Sequence, residues 1–208
     1  MFKRWIQNQL ESPSGCIERF VLPRFWNRRN KVLNDITLCA LRLRPEDRVL
    51  EVGFGGGYLL QQMIREVTDG YVVGVDVSKL MVNRLQSRFQ KQIQSDRMEV
   101  LRAPVEKLPF PSKSYGKVCS VNSVFYWNDV EKGLSEVYRV LQTEGQFVIT
   151  FTSDSCLRNR FHMAELHLFS IGSMRQRLSE TGFQKIWCET HQDKYRTFHC
   201  CVGFKVKD

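Results

Sequence analysis

The chain has 208 residues, 42% of them hydrophobic and 25% charged, a composition that suits one globular domain with one sizeable core. No stretch approaches the about 18 apolar residues that a membrane span requires, and charges and amides interrupt the first ten residues where a secretion signal would be apolar. The formal net charge of +9 raises nucleic acid or an anionic surface as a partner, but the basic residues are spread along the chain, which favours a solvated basic surface.

Residues 1–10 can be written as an amphipathic helix with Phe2, Trp5, Ile6 and Leu10 on one side. Such a helix suits a membrane surface or its own domain, and packing on the domain is the preferred reading. Ser12-Pro13-Ser14-Gly15 is a break, and residues 16–26 are mixed and apolar. A local basic excess follows at Arg24, Arg28, Arg29 and Lys31. Residues 31–43 predict a helix whose apolar side carries Val32, Ile36, Cys39, Ala40 and Leu43. Pro45-Glu46-Asp47 turns the chain into its central strand.

That strand belongs to Arg48-Val49-Leu50-Glu51-Val52-Gly53-Phe54-Gly55-Gly56-Gly57-Tyr58. A short apolar run broken only by Glu51 reads as a buried parallel strand. Four glycines in five positions let the backbone turn sharply and pass close to a ligand. Leu59, Leu60, Met63, Ile64 and Val67 then recur at helical spacing. Strand, glycine turn and helix hold a nucleotide-like ligand at a helix N-terminus. The dinucleotide fingerprint is not met, because Tyr58 stands at its third glycine, and no Lys follows to make a phosphate loop. A carboxylate two residues before the first glycine repels phosphate and suits a ligand with an amino group or positive charge.

Glu51-x-Gly53-x-Gly55-x-Gly57 resembles motif I of the class I S-adenosylmethionine-dependent methyltransferases. The resemblance implies a Rossmann-like, doubly wound, mostly parallel seven-stranded α/β sheet with an antiparallel C-terminal strand pair and an N-terminal helical cap. It implies one domain, with a cap over residues 1–44, a cofactor-binding core over 45–151 and a substrate-side segment with terminal strands over 152–208. In related enzymes the cap covers the cofactor and helps form the substrate pocket. Glu51 would lie near the cofactor's amino group, with the turn of Gly53, Phe54, Gly55 and Gly57 beneath its methionine and ribose parts.

Residues 71–76 read as a second buried strand ending in Asp76, and a carboxylate there can accept from both ribose hydroxyls. Ser78 is the better N-cap for the next helix, through Leu80, Met81, Leu85, Phe89 and Ile93. Gly74-Val75-Asp76-Val77-Ser78 resembles the family's motif II. Met81 touches the adenine face or fills the core, two readings of equal weight. Residues 98–103 read as a third strand. Pro104-Val105-Glu106-Lys107-Leu108-Pro109-Phe110 resembles the family stretch Asp-Ala-Glu-x-Leu-Pro-Phe that lies against adenine. Pro104 replaces its Asp, which leaves the Val105 N–H as a donor and Glu106 as a carboxylate that is either a contact or solvated.

Residues 115–122 read as a fourth strand, with Asn122 at the end where ligands approach an open parallel sheet. Phe125-Tyr126-Trp127 follows, in the segment that faces the methyl group and the substrate in the family. Phe125 divides evenly between site and core, and Tyr126 and Trp127 are read as substrate-lining because their polar atoms want partners. Asp129 is an N-cap for the helix of Val130, Leu134, Val137, Tyr138 and Leu141. Residues 146–151 form a fifth strand. Residues 170–181 are a helix ended by Gly182. Residues 183–190 and 198–206 are strands joined too closely for a crossover, so they pair antiparallel.

Seven scattered cysteines, without a Cys-x-x-Cys, read as reduced core residues of a cytoplasmic protein. The four histidines show no metal-ligand spacing. The expected activity is therefore in-line methyl transfer from S-adenosyl-L-methionine to a small molecule, with no catalytic base assigned. Tyr126, His162 and His199 are the candidates for that role. The alternatives are an RNA or DNA methyltransferase and a non-catalytic cofactor-binding partner protein. An NAD-dependent oxidoreductase is disfavoured by Tyr58. Against the nucleic-acid reading, Asn122-Ser123-Val124-Phe125 lacks the Asn/Asp-Pro-Pro-aromatic grip on an exocyclic amine. Oligomeric state does not follow from the sequence.

Overall fold

The computed structural model describes residues 29–158 and 167–207. The expected helix at residues 1–10, the apolar stretch at 16–26 and His162 lie outside the described residues. Seven strands form one sheet: β1 (Arg48–Val52), β2 (Tyr71–Asp76), β3 (Met98–Arg102), β4 (Tyr115–Val121), β5 (Leu141–Thr152), β6 (Gln184–Gln192) and β7 (Thr197–Phe204). Their order is β3-β2-β1-β4-β5-β7-β6. The first five are parallel, and β7 runs antiparallel between β5 and β6. The helices are α1 (Lys31–Leu41), α2 (Tyr58–Glu66), α3 (Lys79–Arg88), α4 (Gln90–Gln94), α5 (Val130–Val140), α6 (Asp154–Arg158) and α7 (Ile171–Thr181). This is the doubly wound α/β architecture that the family resemblance implies.

The middle strands are apolar on both faces because helices cover both. Val49 and Val72 pack with Leu33, Leu60, Met63 and Leu85 on one side, and Leu50 and Val73 with Leu134, Val137 and Phe147 on the other. Each such side chain taken fully out of water contributes about 1.5–3 kcal/mol. Strand order reverses between β1 and β4, whose following helices pack on opposite faces, and this leaves a crevice at their carboxyl ends.

Five expectations are corrected. Helix α1 buries Leu33, Asn34, Thr37 and Leu41, whereas Val32 is 41% exposed. Polar contacts turn the helix: Thr37 Oγ1 donates to Leu33 O and shares a hydrogen bond with Thr150 Oγ1, and Gln146 Nε2 donates to Ala40 O. The helix also ends two residues early, with Arg42 left-handed and Lys117 Nζ donating to Leu41 O. The expected single helix through Ile93 breaks at Phe89 into α3 and α4. Strand β5 starts at Leu141 rather than residue 146, because left-handed Glu144 at φ 64° lets the chain shift register and stay paired. Cys188 and Cys201 are joined by a disulfide, not reduced. The β6–β7 register sets them directly opposite each other, while Cys39 is exposed and Cys119 and Cys200 are buried free thiols.

Candidate active site

The crevice is built on the turn that follows β1. Gly53 N donates to Val75 O at 2.8 Å and has φ 75°. A Cβ on Gly53 would stand 2.3 Å from Ser123 Cβ, so only glycine allows the segments after β1 and β4 to meet. Ser123 Oγ holds that seam by donating to Val52 O at 3.2 Å. Gly55, at φ 51°, differs: a Cβ there would meet nothing within 4 Å. Its side of the turn is open, which is where a ligand can approach. Phe54 points away, buried in the core against Gly74. Only its backbone can meet a ligand.

Two carboxylates flank the turn. Asp76, half-buried at the end of β2, accepts from Gly55 N at 3.0 Å through Oδ2 and from Ser78 N at 2.9 Å through Oδ1. Burial raises its pKa, and the backbone N–H groups of Ser78, Gly55 and Val77 oppose the rise. A carboxylate has about four lone-pair sites. The two that remain suit a diol. Ser78, and not Asp76, caps α3, by accepting from Met81 N.

Glu51 is 2% exposed, and its Oε2 has no hydrogen-bond partner among the described residues. Burial, with the Asp76 charge second, pushes its pKa up to about 8; the Leu60 N–H at the start of α2 acts the other way. A buried acceptor without a donor is costly. An ammonium group reaching the crevice would supply what Oε2 lacks, so the residues fit a cofactor with a cationic amino end and a ribose end.

The other expected contacts divide. Val77 is exposed beside Asp76, while Met81 is buried among the residues between α2 and α3, in the core alternative of its two readings. Val105 heads a 3-10 turn (Val105–Lys107), with its side chain in the core. Glu106 Oε1 accepts from Asn128 N at 2.6 Å and Asp129 N at 3.2 Å, so that oxygen is bound to the loop before α5. The Asn122 side chain is also committed. Its Oδ1 accepts from Thr152 N and Oγ1, and its Nδ2 donates to Asn30 Oδ1. Left-handed at φ 54°, Asn122 offers a ligand chiefly its main chain.

Trp127, expected to line the substrate site, is buried. It is 5% exposed, its ring lies over Gly133 where a Cβ would come within 2.7 Å, and its Nε1 donates to Ser123 Oγ. Phe125 is buried and stacked with Phe169. Tyr126 alone of the three is exposed, at 44%. His199 is buried on β7, with Nδ1 hydrogen-bonded to Thr190 Oγ1. Burial lowers its pKa, and Asp154 opposes that.

Asn30 and Arg196 escaped the sequence reading. Arg196, in the β6–β7 turn, donates from Nη2 to Asn30 Oδ1 at 2.9 Å and to Arg29 O, and from Nη1 to Thr152 Oγ1. With Asn122 they clasp the start of α1 to the carboxyl ends of β4 and β5. A second tie joins α1 to the turn: Tyr58 Oη donates to Asp35 Oδ1 at 2.9 Å. Tyr58 therefore uses the fingerprint's third glycine position to reach the cap. Among the described residues no group of three or more His, Cys, Asp or Glu could hold a metal ion, and no helix is long and apolar enough to cross a membrane.

Comparison with known proteins places this geometry. A family model described as "Methyltransferase domain" matches residues 50–149. The uncharacterized methyltransferase YdaC of Bacillus subtilis is 37% identical over 121 residues, 58% of this chain and 65% of the relative. Sarcosine/dimethylglycine N-methyltransferase of Aphanothece halophytica is 30% identical over 159 residues, 70% of this chain and 55% of the relative. The chain thus spans less than two thirds of either relative. A chain from the complex between the Haloferax volcanii Trm112 methyltransferase activator and a methyltransferase superposes with TM-score 0.77 at 18% identity, over 89% of this chain and 94% of that one.

Proposed function

We propose that the chain is a class I S-adenosylmethionine-dependent methyltransferase and that it methylates a small-molecule acceptor by in-line displacement. The single observation that carries the reading is the unpartnered Oε2 of buried Glu51, set across an open glycine turn from Asp76. S-adenosylmethionine, the cofactor of this family, supplies an activated methyl group when bound. Glu51 would take its amino end, Asp76 its ribose hydroxyls, and the Gly53–Gly57 backbone would pass beneath.

Because the leaving group is already activated, the protein's tasks are orientation and exclusion of water. Asp76 fixes the turn through Gly55. The Asn30–Asn122–Arg196 clasp ties the start of α1 to the carboxyl ends of β4 and β5. Tyr126 is the exposed side chain placed to meet an acceptor. A base is needed only if the nucleophile must lose a proton. The small-molecule reading draws support from the relative named for sarcosine and dimethylglycine. It draws further support from Asn122, whose side-chain oxygen is held by Thr152 and so is not turned to a nucleobase.

A thermal-shift titration tests the cofactor assignment. S-adenosylhomocysteine should raise the unfolding midpoint saturably and NAD should not, since a ligand bound only to the native state stabilises it by mass action. No shift with the former, or an equal one with NAD, would overturn the reading. Methylation of small amines and phenols, against a short RNA, then separates the acceptor classes.

A further inference from the structure

We propose that the cavity between the C-terminal ends of α2 and α3 binds a phosphate-type oxyanion through Arg65, Arg88 and Arg97. The cavity encloses about 300 Å3 and is completed by Gln61, Gln92 and Phe89. Arg97 immediately precedes β3, so the cavity opens at the amino-terminal side of the sheet. The crevice of Glu51 and Asp76 lies at the opposite, carboxyl side. The two sites are separate, and this one does not depend on the methyltransferase reading.

Three guanidinium groups line one concavity, and none of its lining residues is acidic. Among the described residues, Arg65, Arg88 and Arg97 form no ion pair with a carboxylate. Arg65 donates to Gln62 Oε1 and Arg88 to Gln61 Oε1. Glu66 and Asp96, their neighbours in sequence, do not line the cavity. A basic residue in a helix's last turn answers the helix dipole, which accounts for one arginine on α2 and one on α3. The third, Arg97, arrives from β3's edge and donates to the last carbonyls of α2, so all three guanidinium groups gather at the same helix C-termini. Arg97 is held rigidly, with Nη2 donating to Ile64 O at 3.1 Å and Val67 O at 2.7 Å, while its buried Nε has no partner. Like charge is felt here: after burial, Arg84 and Arg65 lower the pKa of Arg88. Three guanidinium groups on one concavity, one of them fixed through Nη2, offer charged N–H donors to a tetrahedral oxyanion.

Calorimetry with inorganic phosphate, against chloride at matched ionic strength, tests the site. A parallel titration uses a short single-stranded RNA. The variant Arg65→Gln/Arg88→Gln keeps Arg97 and its carbonyl contacts. It should bind phosphate about tenfold or more weakly than wild type, while an unchanged circular-dichroism spectrum and cooperative thermal unfolding report an intact fold. If RNA binds tighter than phosphate and its salt slope falls by about two in the variant, the oxyanion is a nucleic-acid backbone. If RNA adds nothing, it is a small phosphate compound. Gln92→Glu, which sets a carboxylate in the cavity, should weaken phosphate as well and serves if the double variant does not fold. Equal affinity of wild type and variants for both probes, or no binding by wild type, would overturn the proposal.

Discussion

Gly55 N lies 3.0 Å from Asp76 Oδ2, and this bond pins the turn after β1 to the end of β2. The same carboxylate that is placed for a ribose therefore also shapes the floor beneath it. One side chain thus does two jobs, and Asp76→Asn weakens both, because its amide NH2 must face one of the two backbone donors, Gly55 N–H or Ser78 N–H. Asp76→Asn keeps the size of the group and removes its charge. It should weaken S-adenosylhomocysteine binding by about 1–3 kcal/mol, the loss expected of a charged hydrogen bond. Calorimetry on a folded variant with unchanged affinity would leave Asp76 with the turn alone.

Glu51 makes the site sensitive to pH, and the sign follows from its raised pKa. Its value in the fold is about 8, against 4.5 for the free group. Between those values the native state holds a proton that the unfolded chain has released. Stability of the ligand-free protein therefore falls as pH rises through that window, by up to roughly 1.4 kcal/mol per pH unit. Glu51→Gln should remove the slope and be the more stable protein at pH 8 and above. A ligand with an ammonium group favours the charged carboxylate, so wild-type affinity should climb from pH 6 to 8 while the variant's profile stays flat and weaker. Parallel profiles for the two proteins would show that Glu51 does not meet the amino end.

The seam between Gly53 and Ser123 is testable by a mutant cycle. Gly53→Ala places a Cβ on Ser123 and forces alanine to positive φ. The combined cost is about 2–4 kcal/mol, from backbone strain and overpacking together. Ser123→Gly relieves the contact but not the φ. The double variant should recover about half of the loss, after correction for the Trp127 hydrogen bond that Ser123→Gly also removes. Chemical denaturation that finds the two changes additive would place the cost wholly in the backbone.

What could be read in the sequence was local. Glu51, the glycine turn and Asp76 stand in two strand–turn–helix units, so their spacing alone announces the crevice. The cap Ser78 and the cap Asp129 are equally local, each accepting from an N–H three residues on. The break at Phe89 and the left-handed Glu144 are local losses, and the rest are long-range. Asn34 and Thr37 look like the wet face of α1 until Thr150, distant in the chain, supplies a partner for the threonine. Trp127 carries a polar atom and reads as a site residue until Gly133 opens a slot for its ring and Ser123 takes its N–H. Cys188 and Cys201 meet through the register of an antiparallel pair, which residue types do not reveal. The arginine cavity gathers residues from two helices and a strand edge, and no motif marks it.

The clasp over the crevice gives the last prediction. Asn122 takes two donors from Thr152 and gives one to Asn30, and Arg196 reaches both Asn30 and Thr152. Removing Asn122 leaves the Thr152 N–H without its acceptor in a half-buried place, which costs about 1–3 kcal/mol. The sheet core beneath does not depend on that bond, so the loss should be felt at the edge. Asn122→Ala should speed hydrogen exchange along α1 while β1 and β4 keep their protection, because local openings cost less than global ones. Cofactor affinity should fall with it, through faster release rather than slower capture, if α1 closes over a ligand already seated. Arg196→Ala should act in the same direction and less than additively with Asn122→Ala, since the two share Asn30 and Thr152. Exchange that speeds uniformly across the sheet would mean that Asn122 supports the whole fold, and strict additivity would mean that the four residues do not work as one clasp.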